Sequence, residues 1–361
     1  MDFRLDDEQD LIVGTIKRFA DRQLSEWAAD ADRAGKPPAK LMDTAGEVGF
    51  FVDAVPEAAD GMLEGEYSHL TRALRSIELG RACAAQAALL EANVEPALAV
   101  GKWGSDAAQK AVFASLTGGG LAATYYDARD ELGVEIEGGG LVISGKTHPA
   151  PVLGAASHVL LCTSTAVGIV ATADAQVEAL VPSGWRAAQW GSMICEQTRV
   201  PADFVLATGD DARAVRNEIL AWHRLNLAAR ATGVAAAAMA HAAQYGQERV
   251  QFEQPIGTFQ SLARIQDENE THVEAARLMV LHAAWLLETG NSAAPDAISR
   301  ARDFAAATVS RATIDAVQIY GGYGFVNDYP VEKLMRDARA FEVLTGNEAF
   351  RRVLKRGPKR A

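Results

Sequence analysis

Apolar positions recur at helical spacing at the start of the chain, with charges between Leu11, Ile12, Ile16 and Phe19. Asp6 and Asp7 precede them, where carboxylates oppose the positive end of a helix dipole, and Pro37-Pro38 closes the unit. Ser68 to Glu91 is rich in Ala and Leu with few breakers and predicts a second helical stretch. Pro96 interrupts the pattern, Ala107 to Leu116 resumes it, and Thr117-Gly118-Gly119-Gly120 ends it. From there short apolar runs are split by Gly and Pro: Leu141-Val142-Ile143, Val159-Leu160-Leu161, Val167-Gly168-Ile169-Val170 and Glu178-Ala179-Leu180-Val181. Gly138-Gly139-Gly140 and Pro182-Ser183-Gly184 read as turns between strands.

Helical periodicity then returns. Ala212 to Gln254 reads as one long alanine-rich helix with Gly233 inside it, followed by a turn at Pro255-Ile256-Gly257. Phe259 to Glu288 and Ala293 to Ile319 read as two more helices, and Gly321-Gly322-Tyr323-Gly324 breaks the chain before a last helical stretch. The expected fold is mostly α with a small β domain: an N-terminal helical domain over 1–117, a middle β domain over 118–209 and a C-terminal helical bundle over 210–361.

Composition narrows the function. Hydrophobic residues make up 49% of 361, enough for a large core. Lys+Arg 35 against Asp+Glu 47 leaves a net charge of −12, which argues against nucleic acid as a partner, since phosphate neutralisation needs a basic face. Cys83, Cys162 and Cys195 are too few and too scattered for a disulfide framework or a zinc site and read as idle thiols; no metal is expected. The acidic start has neither a basic nor an apolar leader region, and no apolar run is long enough to span a membrane, so a cytoplasmic location is expected.

Two segments carry chemistry. The first is Gln247-Glu248-Arg249-Val250-Gln251-Phe252, with Pro255-Ile256-Gly257 and Phe259-Gln260 after it. The second is Gln318-Ile319-Tyr320-Gly321-Gly322-Tyr323-Gly324-Phe325, with Tyr329-Pro330-Val331-Glu332-Lys333-Leu334-Met335-Arg336-Asp337-Ala338 after it. Both resemble signatures of the acyl-CoA dehydrogenases, as do the opening Phe3-x-Leu5 with Glu8-Gln9 and the exit Arg199-Val200-Pro201. The resemblance implies FAD as cofactor, shared across a subunit interface, with Arg249, Phe252, Gln260, Gln318, Gly321 and Gly322 touching the flavin held by a neighbour. Their chemistry suits that task. A guanidinium forks onto phosphate oxygens, a primary amide donates and accepts at once, and glycine lets backbone come close. Taken singly, Arg249 reads as a solvated charge, Gln318 as a surface residue and Gly321-Gly322 as a helix stop.

The chain also departs from the family pattern. Relatives carry a catalytic Glu nine residues after the Arg of the Arg-Asp-Ala motif; here that position is Thr345, a hydroxyl that cannot take a proton from a thioester Cα near neutral pH. The alternative base position of a minority of relatives falls on His223, and Glu342 and Glu348 lie near Thr345 in sequence. The segments that hold the flavin in relatives read here Ala123-Thr124-Tyr125-Tyr126-Asp127-Ala128-Arg129-Asp130-Glu131 and Lys146-Thr147-His148-Pro149-Ala150-Pro151-Val152. They lack the usual Trp, lose two backbone donors to proline, and place carboxylates where a pyrophosphate would lie.

The expectation is a subunit with no catalytic residue of its own that completes the FAD site of a homologous catalytic subunit. This resembles the base-lacking member of the α2β2 actinobacterial steroid side-chain acyl-CoA dehydrogenases. The implied reaction is α,β-desaturation of an acyl-CoA thioester by the complex, with a steroid side-chain ester as the implied substrate and electron-transfer flavoprotein as the family's acceptor. Two alternatives stand beside it: a self-sufficient homo-oligomeric flavoenzyme using His223 or Glu342 as base, and a non-enzymatic scaffold of the same fold.

Overall fold

The computed structural model describes residues 7–128 and 130–344. Phe3, Leu5, Arg129, Thr345, Glu348 and the basic tail fall outside the described residues, as does the side chain of Glu8. The N-terminal part consists of α1 (Asp7–Phe19), α2 (Ser25–Ala34), α3 (Ala39–Val48), α4 (His69–Leu90), α5 (Val94–Trp103) and α6 (Asp106–Thr117). Ser68 and Ser105 cap α4 and α6, their side chains accepting from the Thr71 and Ala108 N–H groups. Gly35 and Gly49 end α2 and α3 in the left-handed conformation that glycine adopts freely.

The middle segment forms two four-stranded sheets from β1 (Ala122–Tyr126), β2 (Gly133–Glu137), β3 (Gly140–Lys146), β4 (His158–Cys162), β5 (Ala166–Ala171), β6 (Gln176–Leu180), β7 (Trp190–Val200) and β8 (Val205–Thr208). One sheet runs β1-β4-β5-β8, with β1 and β4 parallel; the other runs β2-β3-β7-β6 and is antiparallel. The apolar runs seen in the sequence are β3, β4, β5 and β6. The eleven-residue β7 was not legible from apolar runs, because Ser192, Glu196, Gln197 and Thr198 break its apolar pattern.

The C-terminal part is a four-helix bundle: α7 (Gly209–Glu248), α8 (Gln260–Glu288), α9 (Ala294–Tyr320) and α10 (Pro330–Val343). Its central helix α7 is 40 residues long and packs against α4 of the N-terminal part. Glycines set that approach: a Cβ on Gly233 would lie 2.0 Å from the Ile77 carbonyl oxygen, and one on Gly80 would lie 2.5 Å from that of Arg230. The long helix predicted to Gln254 stops at Glu248. A two-stranded hairpin follows, β9 (Val250–Gln251) and β10 (Gln254–Pro255), whose loop residues Phe252 and Glu253 both have positive φ. That conformation suits a two-residue hairpin turn, but without Asn-Gly or Asp-Gly the sequence does not announce it.

Candidate functional site

The six residues expected at a neighbour's flavin stand at one end of the bundle, where α7 and α9 finish and α8 and α10 begin. Arg249 is the C-cap of α7, Phe252 tips the hairpin, Gln260 opens α8, Gln318 lies in the last turn of α9, and Gly321-Gly322 follow it. All six are exposed. Beneath them, Tyr245 of α7 stacks on Tyr320 of α9 with ring centroids 4.1 Å apart, and Tyr329 meets both rings edge-on. Tyr320 Oη donates to the His241 carbonyl at 3.2 Å. The Arg249 guanidinium lies over Tyr323, joining the hairpin to the glycine turn.

Two local features point outward. Phe252 is 86% exposed although it is a large aromatic, and its φ of 52° is a conformation that side-chain-bearing residues rarely adopt. Gly321 has φ 59°, and a Cβ built on Gly321 or Gly322 meets nothing within 4 Å. The glycine backbone is thus open to an approaching ligand. Val250 and Phe325 add further exposed apolar surface nearby.

The positions expected around this chain's own acyl and flavin groups also converge. Thr124 of β1, Pro151, Val152, His223 of α7 and Leu344, the residue before Thr345, line one cavity. Its volume is about 50 Å³. Sites for drug-sized ligands run to about 300–1,000 Å³, so this space takes a few waters and not a flavin. Trp185, from the loop between β6 and β7, also lines the cavity and is fully buried. This cavity, as the chain presents it, therefore does not admit a flavin.

A buried ion cluster backs that cavity where a thioester pocket would be apolar. Arg72 donates to Glu95 at 2.9 Å, and His223 Nδ1 lies 3.3 Å from the other Glu95 oxygen. Glu91 takes Arg230 at 2.8 Å and Arg75 at 3.4 Å, and Arg75 also pairs with Asp53. Asn226 joins the two halves, its amide oxygen facing Arg72 and Arg230 at 2.9 and 3.1 Å. Burial alone would push the Glu95 carboxyl up; His223 and Arg72 outweigh it and hold it down at about 2. His223 thus faces, through Nδ1, a carboxylate that is ionised near neutral pH.

The other expected groups are used elsewhere. Glu342 accepts from Ser310 and Arg339, both at 2.7 Å, and does not line the cavity. Asp127 is buried and caps the following turn, accepting from the Glu131 and Leu132 N–H groups. The exposed Glu131 pairs with His148 at 2.6 Å. Sequence reasoning missed Trp185 and the ion cluster. The available signal was the set of charges Arg72, Arg75, Glu91 and Glu95 at helical spacing in an otherwise Ala- and Leu-rich stretch.

A larger groove of about 550 Å³ lies between α2, the 183–186 loop and the start of α10. Two of its cations are already matched: Arg336 by Asp32 and Glu332, and Lys333 by Asp337. Among the described residues no group of three or more His, Cys, Asp or Glu could hold a metal ion, all three cysteines are free and buried, and no helix is long and apolar enough to cross a membrane.

Comparison with known proteins places these observations. The family model for the acyl-CoA dehydrogenase N-terminal domain matches residues 6–120, and that for the acyl-CoA dehydrogenase C-terminal domain matches residues 213–354. An acyl-CoA dehydrogenase of Bacillus subtilis is 38% identical over 162 residues, 45% of this chain and 42% of that protein. The acryloyl-CoA reductase (NADH) of Anaerotignum propionicum is 26% identical over 383 residues, 98% of this chain and 95% of that protein. Among solved structures, the butyryl-CoA dehydrogenase of Megasphaera elsdenii superposes with a TM-score of 0.88 at 25% identity, covering 98% of this chain and 99% of that one.

Proposed function

This chain belongs to the acyl-CoA dehydrogenase family, and from that premise we propose that it is the base-lacking subunit of a hetero-oligomeric, FAD-dependent acyl-CoA dehydrogenase. In this reading a homologous catalytic subunit holds the FAD and the thioester. The complex desaturates an acyl-CoA between Cα and Cβ, with a steroid side-chain ester as the substrate proposed. The bound FAD supplies the hydride acceptor.

What this chain contributes follows from its own residues. Arg249 offers a cation with forked donors to a diphosphate. Gln260 and Gln318 offer amides able to donate and accept toward a purine or ribose edge. Phe252 covers an apolar face, and the Gly321-Gly322 backbone admits a flat group close by. The observation that carries the reading is the contrast between two sites on this chain. The exposed cluster at the bundle end is open toward a ligand, while the cavity beside His223 is only about 50 Å³ and is backed by paired charges.

The test is to express the chain alone and with a candidate catalytic partner, and to measure flavin absorbance per polypeptide. A colourless single chain and a yellow complex are expected. A stoichiometric yellow flavoprotein from the single chain overturns the reading.

One observation favours a second reading. His223 lines the cavity with Nδ1 turned to Glu95, the arrangement that would orient an imidazole as a base. A self-sufficient enzyme of this kind predicts turnover by the purified single chain that is abolished in His223→Ala.

A further inference from the structure

We propose that Trp185 is an internal stopper: its indole fills the space between the middle domain and the bundle that would otherwise admit a flat heteroaromatic ring, and so decides that this chain holds no flavin of its own. The inference deepens the reading of a subunit without its own cofactor and rests on it.

The placement is specific. The indole is fully buried, meets Phe341 of α10 edge-on with centroids 5.0 Å apart, and has the Arg230 guanidinium 5.3 Å from its ring. Its backbone is clamped from several sides. The Trp185 N–H donates to Asp337 at 2.7 Å, and its carbonyl accepts from the Trp190 indole at 3.0 Å. At Gly184 a Cβ would lie 2.3 Å from the Arg336 carbonyl oxygen, so the loop sits directly on α10.

Two features support the reading that this side chain serves by its volume. Trp185 has φ 51°, and Val152, which lines the same cavity, has φ 69°, a marked outlier for a β-branched residue. The Trp185 indole N–H has no partner, although a buried Trp is normally placed where its N–H finds an acceptor. Strained backbone and a sealed, unanswered donor at one residue are tolerated when bulk is what the position requires. Thr124 Oγ1 and Arg230 Nε, on other walls of the same cavity, are also without partners. Once the indole is gone, these groups face the enlarged space as hydrogen-bonding partners for the heteroatoms of a ring.

The test uses the full chain alone, so its outcome is separate from flavin retention by a complex. Wild type, Trp185→Gly and Trp185→Ala are titrated into lumiflavin, with flavin fluorescence as the readout and circular dichroism to confirm folding. Wild type is expected to show no saturable binding, and the folded variants to bind lumiflavin at least about tenfold more tightly than the limit set for wild type. Equal affinity in wild type and folded variants overturns the proposal, as does saturable binding by wild type. A second measurement needs neither cavity variant. In wild type labelled with 5-fluorotryptophan, the Trp185 resonance, assigned by its loss in Trp185→Phe, is expected to stay fixed at saturating lumiflavin. A shift or broadening on addition means that the ring enters with the indole in place, and it overturns the stopper.

Discussion

The Arg249 guanidinium lies 5.7 Å from the centroid of the Tyr323 ring. These residues are 74 positions apart in the chain, on the hairpin after α7 and on the turn after α9. The contact holds a cation, an exposed aromatic and two open glycines on one surface.

Arg249→Ala is therefore expected to weaken FAD retention by the complex at least about tenfold while leaving the melting temperature of this chain nearly unchanged, since an exposed cation contributes little to stability. Arg249→Lys should recover only part of the loss, because an ammonium cannot fork onto two oxygens. Equilibrium dialysis of FAD against the purified complex measures both. Undiminished retention in Arg249→Ala would point to the scaffold alternative.

Phe252→Gly separates binding from stability at the hairpin. Glycine tolerates a φ of 52° without strain and loses more chain entropy on folding, so the net change in unfolding free energy should stay within about 1 kcal/mol. FAD retention by the complex should fall, because an 86% exposed ring is lost from the surface. Urea unfolding and dialysis, run in parallel, distinguish the two effects.

The buried ion cluster should be intolerant of half-removal. Glu91→Ala leaves Arg230 and Arg75 without their shared carboxylate and is expected to cost about 3–5 kcal/mol in urea unfolding. An effect below about 1 kcal/mol would mean that water enters the cluster freely.

Acid should destabilise the chain in two stages. Burial lowers His69 to about 3, with Arg72 adding to the effect, so the folded state holds it neutral on Trp222. Its folded value lies below its unfolded value of about 6.5, so its contribution is complete above that pH and is lost toward pH 3, at roughly 1.4 kcal/mol per pH unit. Glu95, held at about 2, adds a second loss below about pH 4.5. Unfolding free energy against pH in wild type and His69→Phe should differ in slope between pH 6 and 4. Parallel curves would contradict the assignment to His69.

The α4–α7 crossing gives a packing test. Gly233→Ala places a Cβ 2.0 Å from a backbone oxygen that no side-chain rotation can move. The expected loss is at or above the roughly 1–3 kcal/mol typical of overpacking, measured by thermal unfolding. Gly46→Ala, where a Cβ meets nothing within 4 Å, is the control and should stabilise or leave the chain unchanged.

Much of the molecule was legible in residue order because it depends on local periodicity. The helix–strand–helix order follows from apolar spacing, and the ends of α8 and α9 follow from residues such as Gly290 and Gly321 that stop a helix locally. Arg249, Gln318 and the glycines were legible as motifs because each lies at or beside a helix end, a few residues from its neighbours. The tertiary structure alone decided what surrounds His223, since Glu95 of α5 stands 128 positions away in the chain and the Tyr126 ring comes from β1. Trp185 was invisible for the same reason: an indole next to a turn glycine reads as loop until Phe341, Asp337 and Arg230 are folded around it. Burial of charge is likewise a property of the assembled core. Arg72 and Glu95 look like solvent-facing residues along the chain, and only the packing of α4 and α5 against α7 removes water from them and makes them each other's counterions.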